Sequence, residues 1–443
     1  LGIGPRSLLP GPWIGGFGSL DPVSSRLQFA GEMCDGIAPM AVVQQRRRLA
    51  AVVTHPIQYF KPIFQGLAAD PEVELLVVYG CDHGLEASAD PDFGVTFAWD
   101  SNPIEGFPCR FASRASLQSL SSSRSAWPIA REAASLIQAF DPEAVLVFSY
   151  SPRFIQYTTL LLAKAGHRLW LRAETTDHAL ERSGLKRLVR DRVLKTWYGL
   201  FSHVFPIGTR SQQHYLRLGV PLAKQSLARY AVDVDFFASQ VAHWKPQREQ
   251  LRHELQIEPH DHVLLYVGKI SPVKNPLLLP QALAHLKADP QRGHCFASLV
   301  VVLVGDGELR GALEAELEAV IPGRWRGMGF QNQQQLGRFY GLADTLVLPS
   351  MQGETWGLVV NEAQQFGLNV ICSDKVGSSV DLVDPSERGR VHRSGDAANF
   401  AQAIAELSTL PAQASPGIQQ LPHPQQLVAQ VLQQLKGLPD SCG

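Results

Sequence analysis

The six cysteines of this 443-residue chain, Cys34, Cys81, Cys109, Cys295, Cys372 and Cys442, never stand in a C-x-x-C pair. That scatter indicates neither a structural zinc site nor a disulfide framework, and it fits a reducing cytoplasm. No apolar run approaches the roughly 20 residues that a bilayer-spanning helix needs. The net charge is -1, so no overall field draws the chain to nucleic acid or to an anionic membrane. The turn Val304-Gly305-Asp306-Gly307-Glu308-Leu309 lacks the third glycine of a dinucleotide fingerprint, so no NAD site is indicated. The stretch 1–39 is rich in Gly, Pro and Ser but has no sustained hydrophobic period and no signal-peptide pattern. The chain opens on Leu1, and its first methionines are Met33 and Met40. We expect 1–39 to be disordered or untranslated, with folded sequence following Met40.

What is present is an ordinary globular composition, 45% apolar and 18% charged. At this length two domains are the default. Strands and helices alternate from about Leu49, which predicts parallel α/β architecture. Strands are expected at 49–54, 73–79, 144–148, 168–173 and 203–206, with helices at 62–69, 130–140, 155–165, 185–201 and 210–218. The stretch 81–125 has little period, and 230–244 reads as a connector. The alternation then restarts, with strands at 262–267, 297–304, 326–330, 345–348 and 369–372 and helices at 275–288, 307–319, 334–341 and 397–407. A polar, Pro-containing linker at 411–424 precedes a last helix at 425–435. The expected organisation is two Rossmann-like parallel-sheet domains facing one cleft, at 40–230 and 251–410. A connector covers 231–250, and a linker with a C-terminal helix covers 411–443, the helix crossing back to the first domain. In open α/β sheets the ligand lies beyond the carboxyl ends of the strands.

The most informative stretch runs from Pro349 to Ala363. It places Glu354 and Glu362 on either side of a strand-to-helix turn. A helix start has amides without intrahelical partners and a dipole that favours negative charge. A nucleotide-sugar needs this layout: a carboxylate for sugar hydroxyls, amides for a diphosphate and a second carboxylate for the ribose. The plainer alternatives are an acidic residue near a helix start and an ordinary surface glutamate. The turn Gly268-Lys269-Ile270-Ser271-Pro272-Val273-Lys274-Asn275 follows the strand at 262–267 and brings two cations to one strand exit. Fixed cations stabilise the charge a diphosphate gains as it leaves; two solvated lysines are the plainer reading. Gly305-Asp306-Gly307 reads as a packing turn, and the Gly329-Phe330-Gln331 segment could meet a base. Cys372 reads as a buried strand residue.

The second block resembles the donor domain of retaining GT-B glycosyltransferases of the family 4 type (glycosyl transferases group 1). The matching pieces are Gly268-Lys269 with Lys274, Gly305-Asp306-Gly307, Gly327-Met328-Gly329-Phe330 and Tyr340 with Ala343-Asp344. They continue with Pro349-Ser350, Glu354 through Gly357, Glu362-Ala363 and Gly367. The segment Asp233-Val234-Asp235 with Phe237 resembles the place where the family's first domain ends. The resemblance covers roughly 49–407 and is strongest in the second domain. It implies that Glu354 binds donor-sugar hydroxyls, that Gly357 and Leu358 offer amides to the diphosphate, that Lys269 and Lys274 neutralise it, and that Glu362 holds the ribose. It implies sugar transfer with retention and without a metal or other cofactor, from a UDP- or GDP-sugar to a glycan or lipid-linked acceptor held by the first domain. No D-x-D stands at a strand end; Asp233-Val234-Asp235 reads as a turn.

The chain also departs from the family pattern. Lys269 stands where Arg is usual, which keeps the charge and loses the bidentate fork. The first turn is His55-Pro56-Ile57-Gln58-Tyr59 where paired glycines are frequent. Where the family often has a histidine, the strand at 168–173 leads to Glu174, with His178 slightly beyond. His55 and Glu174 are therefore catalytic candidates beside Glu354, with local hydrogen bonding as the alternative for His55.

The segment 182–195 combines Arg182, Lys186, Arg187, Arg190, Arg192 and Lys195 with Leu185, Leu188, Val189, Val193 and Leu194. The preferred reading is a helix packing its apolar stripe on the sheet. The alternative is peripheral contact with the inner face of a membrane. The rival functions are a nucleotide-sugar epimerase on a similar scaffold and a non-catalytic two-lobed sugar-binding protein. No nucleic-acid partner is expected.

Overall fold

The computed structural model describes residues 46–85, 88–90, 95–97, 102–178, 184–383, 387–410 and 421–439. The expectation for 1–39 and the residue Arg182 lie outside them. The first half runs β1 (Arg47–Val53), α1 (Lys61–Ala68), β2 (Val73–Tyr79), a small antiparallel pair β3 (Ser88–Asp90) and β4 (Val95–Phe97), and β5 (Cys109–Phe111). It continues with α2 (Ser123–Phe140), β6 (Ala144–Phe148), α3 (Arg153–Lys164), β7 (Leu169–Arg172), α4 (Gly184–Tyr198), β8 (His203–Val204) and α5 (Thr209–Arg217). Two helices follow, α6 (Val234–Trp244) and α7 (Arg248–Glu254).

The second half runs β9 (His262–Val267), α8 (Leu278–Ala288), β10 (Leu299–Val304), α9 (Arg310–Val320), β11 (Trp325–Gly327), α10 (Gln333–Leu342) and β12 (Thr345–Leu348). It ends with α11 (Leu358–Gln365), β13 (Asn369–Ser373), β14 (Gly389–His392), α12 (Ala397–Ser408) and α13 (Pro424–Lys436). The central strands β6, β9 and β10 are buried along their whole length. Strands covered on both faces carry continuous rather than alternating apolar sequence, as Ala144–Phe148 and Leu299–Val304 do.

Each half forms one six-stranded sheet, in the orders β5-β2-β1-β6-β7-β8 and β11-β10-β9-β12-β13-β14, with every pairing parallel. Both orders reverse direction at the junction of their first and fourth strands, β1 with β6 and β9 with β12. At such a switch point the neighbouring crossovers leave on opposite faces and a crevice opens beyond the strand ends. The two-sheet α/β expectation holds. So does the return of the last helix: α13 packs on α1, where Gly66 faces Val428, and Lys436 reaches Asp70 at 3.0 Å.

The stretch read as a connector is largely helical. Asp233, expected in a turn, instead accepts from the Phe236 amide through its carboxylate at 3.0 Å and caps α6. Capping by Asp satisfies one of the four orphan amides of a helix start. The α7 helix is then held to the second sheet by Asp344, on which Arg248 and Arg252 close at 2.5 Å each, while the Val263 amide donates at 2.8 Å. Helix α2 begins seven residues earlier than expected, at Ser123, and accommodates Pro128. Strand β14 was not expected at all.

Removing one member of a buried ion cluster leaves an uncompensated charge. Asp344→Ala should therefore cost about 3–5 kcal/mol of unfolding free energy, read as a lower urea midpoint. A loss no larger than the ~0.5 kcal/mol of a surface substitution would show that Arg248 and Arg252 do not depend on it.

Candidate active site

At the second sheet's switch point the exits of β9 and β12 face each other. The β9 exit carries Gly268, Lys269 and Lys274; the β12 exit carries Pro349 to Gly357. Lys274 contacts the Glu354 carboxylate, which also accepts from Ser350 Oγ at 3.1 Å. The two residues assigned separately to phosphate and sugar are thus joined to each other. Helix α11 starts at Leu358 behind Gly357, with no side-chain cap. Its first amides are left for a ligand or for water. The Gly305 turn packs as expected: a Cβ there would lie 1.9 Å from the Gly268 carbonyl oxygen, so β10 can approach the β9 exit only through glycine. Phe330 lies past β11, at the same end of the sheet. Cys372 is a buried residue of β13.

At the first sheet's switch point a cavity of about 480 Å³ opens, lined wholly by residues before Ala231. His55 comes from the β1 exit, Ser149 and Ser151 from the β6 exit, and Arg172 and Glu174 from the β7 exit; Tyr230 closes it. His55 shares a 3.0 Å hydrogen bond with Thr54 through Nδ1, and its ring lies 5.6 Å from that of His83. Burial, with His83 next, lowers its pKa to about 4, so the ring is neutral near pH 7. Glu174 is solvent-accessible within the cleft yet ringed by protein. Burial raises its carboxyl pKa, while the Tyr230 hydroxyl, Arg172 and Thr355 oppose the rise and the Glu354 charge adds to it. Thr355 Oγ1 reaches Glu174 at 3.4 Å, so the β7 exit of one sheet meets the β12 exit of the other.

The seam between the sheets is dense. Glu362 is 1% exposed and accepts from Tyr59 at 3.1 Å and from Tyr340 at 2.7 Å. Burial raises its pKa, and the two hydroxyls partly offset that. In this arrangement the carboxylate faces tyrosines, one from each half, and not an open cleft. Asp381 accepts from the Thr209 amide at 2.9 Å, from Thr209 Oγ1 at 2.8 Å and from Arg229 at 2.8 Å. Trp356 donates to Asn361 at 2.8 Å, and Asn361 donates to the Tyr230 carbonyl at 3.1 Å. A Cβ on Gly208 would sit 2.2 Å from the Trp356 ring. His178 lies away from the cavity and contacts the Asp374 carbonyl across the seam.

The structure therefore gathers Glu354, Lys274, Gly357 and Leu358 at one strand exit, and His55 with Glu174 at the opposite one. The sequence reading missed Arg172, Tyr230, Tyr59, Thr209 and Asp381. They meet partners more than a hundred positions away or line a cavity that no local motif announces. The preferred reading of α4 is corrected: Leu194 is buried, but Leu188, Val189 and Val193 are 68%, 57% and 63% exposed. The helix packs through Leu194 and Tyr198, and an ion network of Asp177, Asp191, Arg190 and Arg217 ties it to α5. That leaves Leu188, Val189 and Val193 outward. Among the described residues no helix is long and apolar enough to cross a membrane, and no group of three His, Cys, Asp or Glu side chains is placed to hold a metal ion.

Residues 247–418 match the family model for Glycosyl transferases group 1. The chain is 30% identical over 198 residues to a D-inositol 3-phosphate glycosyltransferase of Nocardia farcinica, covering 42% of each protein. It is 32% identical over 162 residues to a lipopolysaccharide 1,2-N-acetylglucosaminetransferase of Salmonella typhimurium, covering 33% of this chain and 39% of the relative. The chain thus spans less than half the length of these curated relatives. Among solved structures, the Anabaena protein HepE in complex with UDP and glucose superposes with a TM-score of 0.61 at 16% identity, over 89% of this chain and 100% of that one. WaaG, a glycosyltransferase involved in lipopolysaccharide biosynthesis, gives 0.56 at 16% identity, over 82% and 90%. The fold is GT-B, and the group 1 match lies in the second half, over residues 247–418.

The His55 environment has a consequence for stability. Its pKa is lower folded than unfolded, so the unfolded chain binds more protons between pH 6.5 and about 4. The His55 contribution to stability is complete above pH 6.5 and falls as pH drops through that window. His55→Gln should make this fall shallower in urea titrations. An unchanged pH slope would place His55 in water in the folded protein.

Proposed function

We propose that the protein is a retaining, metal-independent glycosyltransferase that moves a sugar from a nucleotide diphosphate donor, a UDP- or GDP-sugar, to a hydroxyl of a glycan or lipid-linked acceptor. The observation that carries this reading is the β12–α11 turn: an uncapped helix start beside the Lys274–Glu354 pair, inside the stretch that matches the family. The bond from the anomeric carbon to the diphosphate breaks, and the bond to the acceptor oxygen forms as its hydroxyl gives up a proton. The leaving diphosphate gains charge, which the amides of Gly357 and Leu358, with Lys269 and Lys274, would stabilise. Glu354 would hold donor-sugar hydroxyls, Gly268 would let the diphosphate approach the backbone, and Phe330 would lie against the base. His55 and Glu174 would face the acceptor side of the anomeric carbon. For the ribose to reach Glu362, the Tyr59 hydroxyl must give way. A sugar-binding protein has no use for a paired-lysine exit beside a helix start, because a neutral sugar brings no charge to clamp.

The test is a thermal-shift panel of UDP, GDP, ADP and their sugar conjugates, with and without EDTA, followed by turnover. Stabilisation by one nucleotide family that EDTA leaves unchanged is the expected result. Lys274→Ala should remove about 1.5–3 kcal/mol of nucleotide diphosphate binding, the usual worth of a hydrogen bond to a charged group. Glu354→Gln should lower turnover strongly and donor affinity less. A free sugar that stabilises as well as its nucleotide conjugate would replace this reading by the two-lobed binding protein. Turnover of donor without acceptor would replace it by an epimerase.

We also propose a cytoplasmic protein that rests on the inner face of a membrane through α4. Exposed Leu188, Val189 and Val193 beside Lys186, Arg187, Arg192 and Lys195 have the composition of an interfacial helix. Replacing the three apolar residues by Ser should weaken binding to phosphatidylglycerol vesicles by roughly tenfold or more, given the transfer free energy of aliphatic side chains. Equal binding by the substituted protein would remove the membrane contact from this helix.

A further inference from the structure

The first-sheet cavity holds a cation that the proposed sugar transfer does not use. Arg172 is 4% exposed and lines the cavity. Its Nη1 is fixed by three carbonyl oxygens, those of Phe205 at 3.2 Å, Pro206 at 3.0 Å and Ala228 at 2.5 Å. The guanidinium also lies 5.6 Å from the centre of the Tyr230 ring. Among the described residues, neither Nε nor Nη2 hydrogen-bonds to anything. A guanidinium anchored at one nitrogen and open at the other two is a rigid donor fork, and such forks match phosphate and carboxylate oxygens.

A second, independent feature meets it in the same cavity. Ser151 and Pro152, which lead into the twelve-residue helix α3, line the cavity, and α3 has no side-chain cap. Its first intrahelical bond is Gln156 to the Pro152 carbonyl, so among the described residues the amides of Arg153, Phe154 and Ile155 have no backbone partner. Uncapped amides and the positive end of the helix dipole favour an anion. The Ser149 and Ser151 side chains line the same wall. Among the described residues of the cavity, Arg172 faces a neutral His55 and Glu174, whose carboxyl pKa is raised by burial and lowered again by Arg172.

We propose that this cavity binds an anionic group, a phosphate or a carboxylate, carried by the acceptor and seated between Arg172 and the start of α3. This rests on the glycosyltransferase reading for the word acceptor; the anion site itself does not. The acceptor's reacting hydroxyl would then lie toward Glu174, which lines the same cavity and touches the β12–α11 turn through Thr355. The anion would do the positioning and Glu174 would stand beside the chemistry.

The test is calorimetric titration with glycerol 3-phosphate, inorganic phosphate and glycerol, alongside vesicles of phosphatidylcholine with and without phosphatidic acid. Binding of the phosphates but not of glycerol is expected, weakened on the order of tenfold or more in Arg172→Gln, as removal of a charge-assisted pair requires. Arg172 also anchors three carbonyls, so Ser151→Asp provides a second variant, which places a carboxylate at an exposed position in the anion's path and should abolish binding. If the soluble phosphates bind in the Arg172-dependent way, the group belongs to a soluble acceptor. If only phosphatidic acid vesicles do, it belongs to a lipid headgroup. Binding equally strong in both variants, or absent in both arms, overturns the proposal. Nucleotide diphosphate binding, followed on the same samples, reports separately on the donor site, so a failed donor reading is not mistaken for a failed anion pocket.

Discussion

Glu362 is a carboxylate held almost wholly out of water where the two halves meet. A carboxylate taken out of water costs several kcal/mol unless donors replace the lost hydration. Here the donors are Tyr340, from the same half, and Tyr59, from the first turn of the other half. The acid is therefore satisfied only while the β1 exit of one sheet lies against α11 of the other. Asp381 repeats the device with Thr209 and Arg229. Between them runs the Trp356–Asn361–Tyr230 chain, whose indole leaves no room for a side chain on Gly208. These contacts set how closely the β7 exit with Glu174 approaches the β12 exit with Glu354. The geometry of the cleft is thus a by-product of satisfying two buried acids.

Much of this was legible in the chain because the signals were local. The strands at 73–79, 144–148, 262–267 and 345–348 are short apolar runs bounded by breakers, and they fold where the runs say. The strand-to-helix turn between Glu354 and Glu362 also folds where the sequence places it. The connector helix α6 was hidden because Asp-Val-Asp looks like a turn, whereas Asp233 as an N-cap and Phe236 three residues on were the signal. The early start of α2 was hidden by Pro128, and β14 by its short Gly-Arg-Val-His sequence. Arg172 and Tyr59 were illegible for a different reason. Nothing about an arginine at a strand end says that one nitrogen will be tied to three carbonyls from later elements. Nothing about a tyrosine in a first turn says that it will meet a glutamate 303 positions on.

Helix α4 shows the same limit from the other side. Its sequence has an apolar stripe, and stripes usually pack inward. The structure buries Leu194 and leaves Leu188, Val189 and Val193 outside. The reason is ionic: Arg217 on α5 closes on Asp191 at 2.5 Å and on Asp177 at 2.7 Å, and this fixes which side of α4 faces the body of the domain. Periodicity specifies that an amphipathic face exists; neighbouring charges decide which way it points.

Glu174 is where the two halves of the site exchange information. Burial pushes its carboxyl toward the neutral form, Arg172 pulls it toward the charged form, and Glu354 pushes it back. Each of those neighbours stands at the mouth of an uncapped helix, Arg172 with α3 and Glu354 with α11. An anion seated against Arg172 offsets a nearby cation that favours ionised Glu174. A donor diphosphate drawing on Lys274 leaves the Glu354 charge less compensated. Both events move Glu174 in the same direction, toward holding its proton. On the proposed reading, a filled cleft therefore holds the Glu174 carboxyl closer to its neutral form than an empty one does. The proton affinity of this one side chain thus responds to occupancy on both sides.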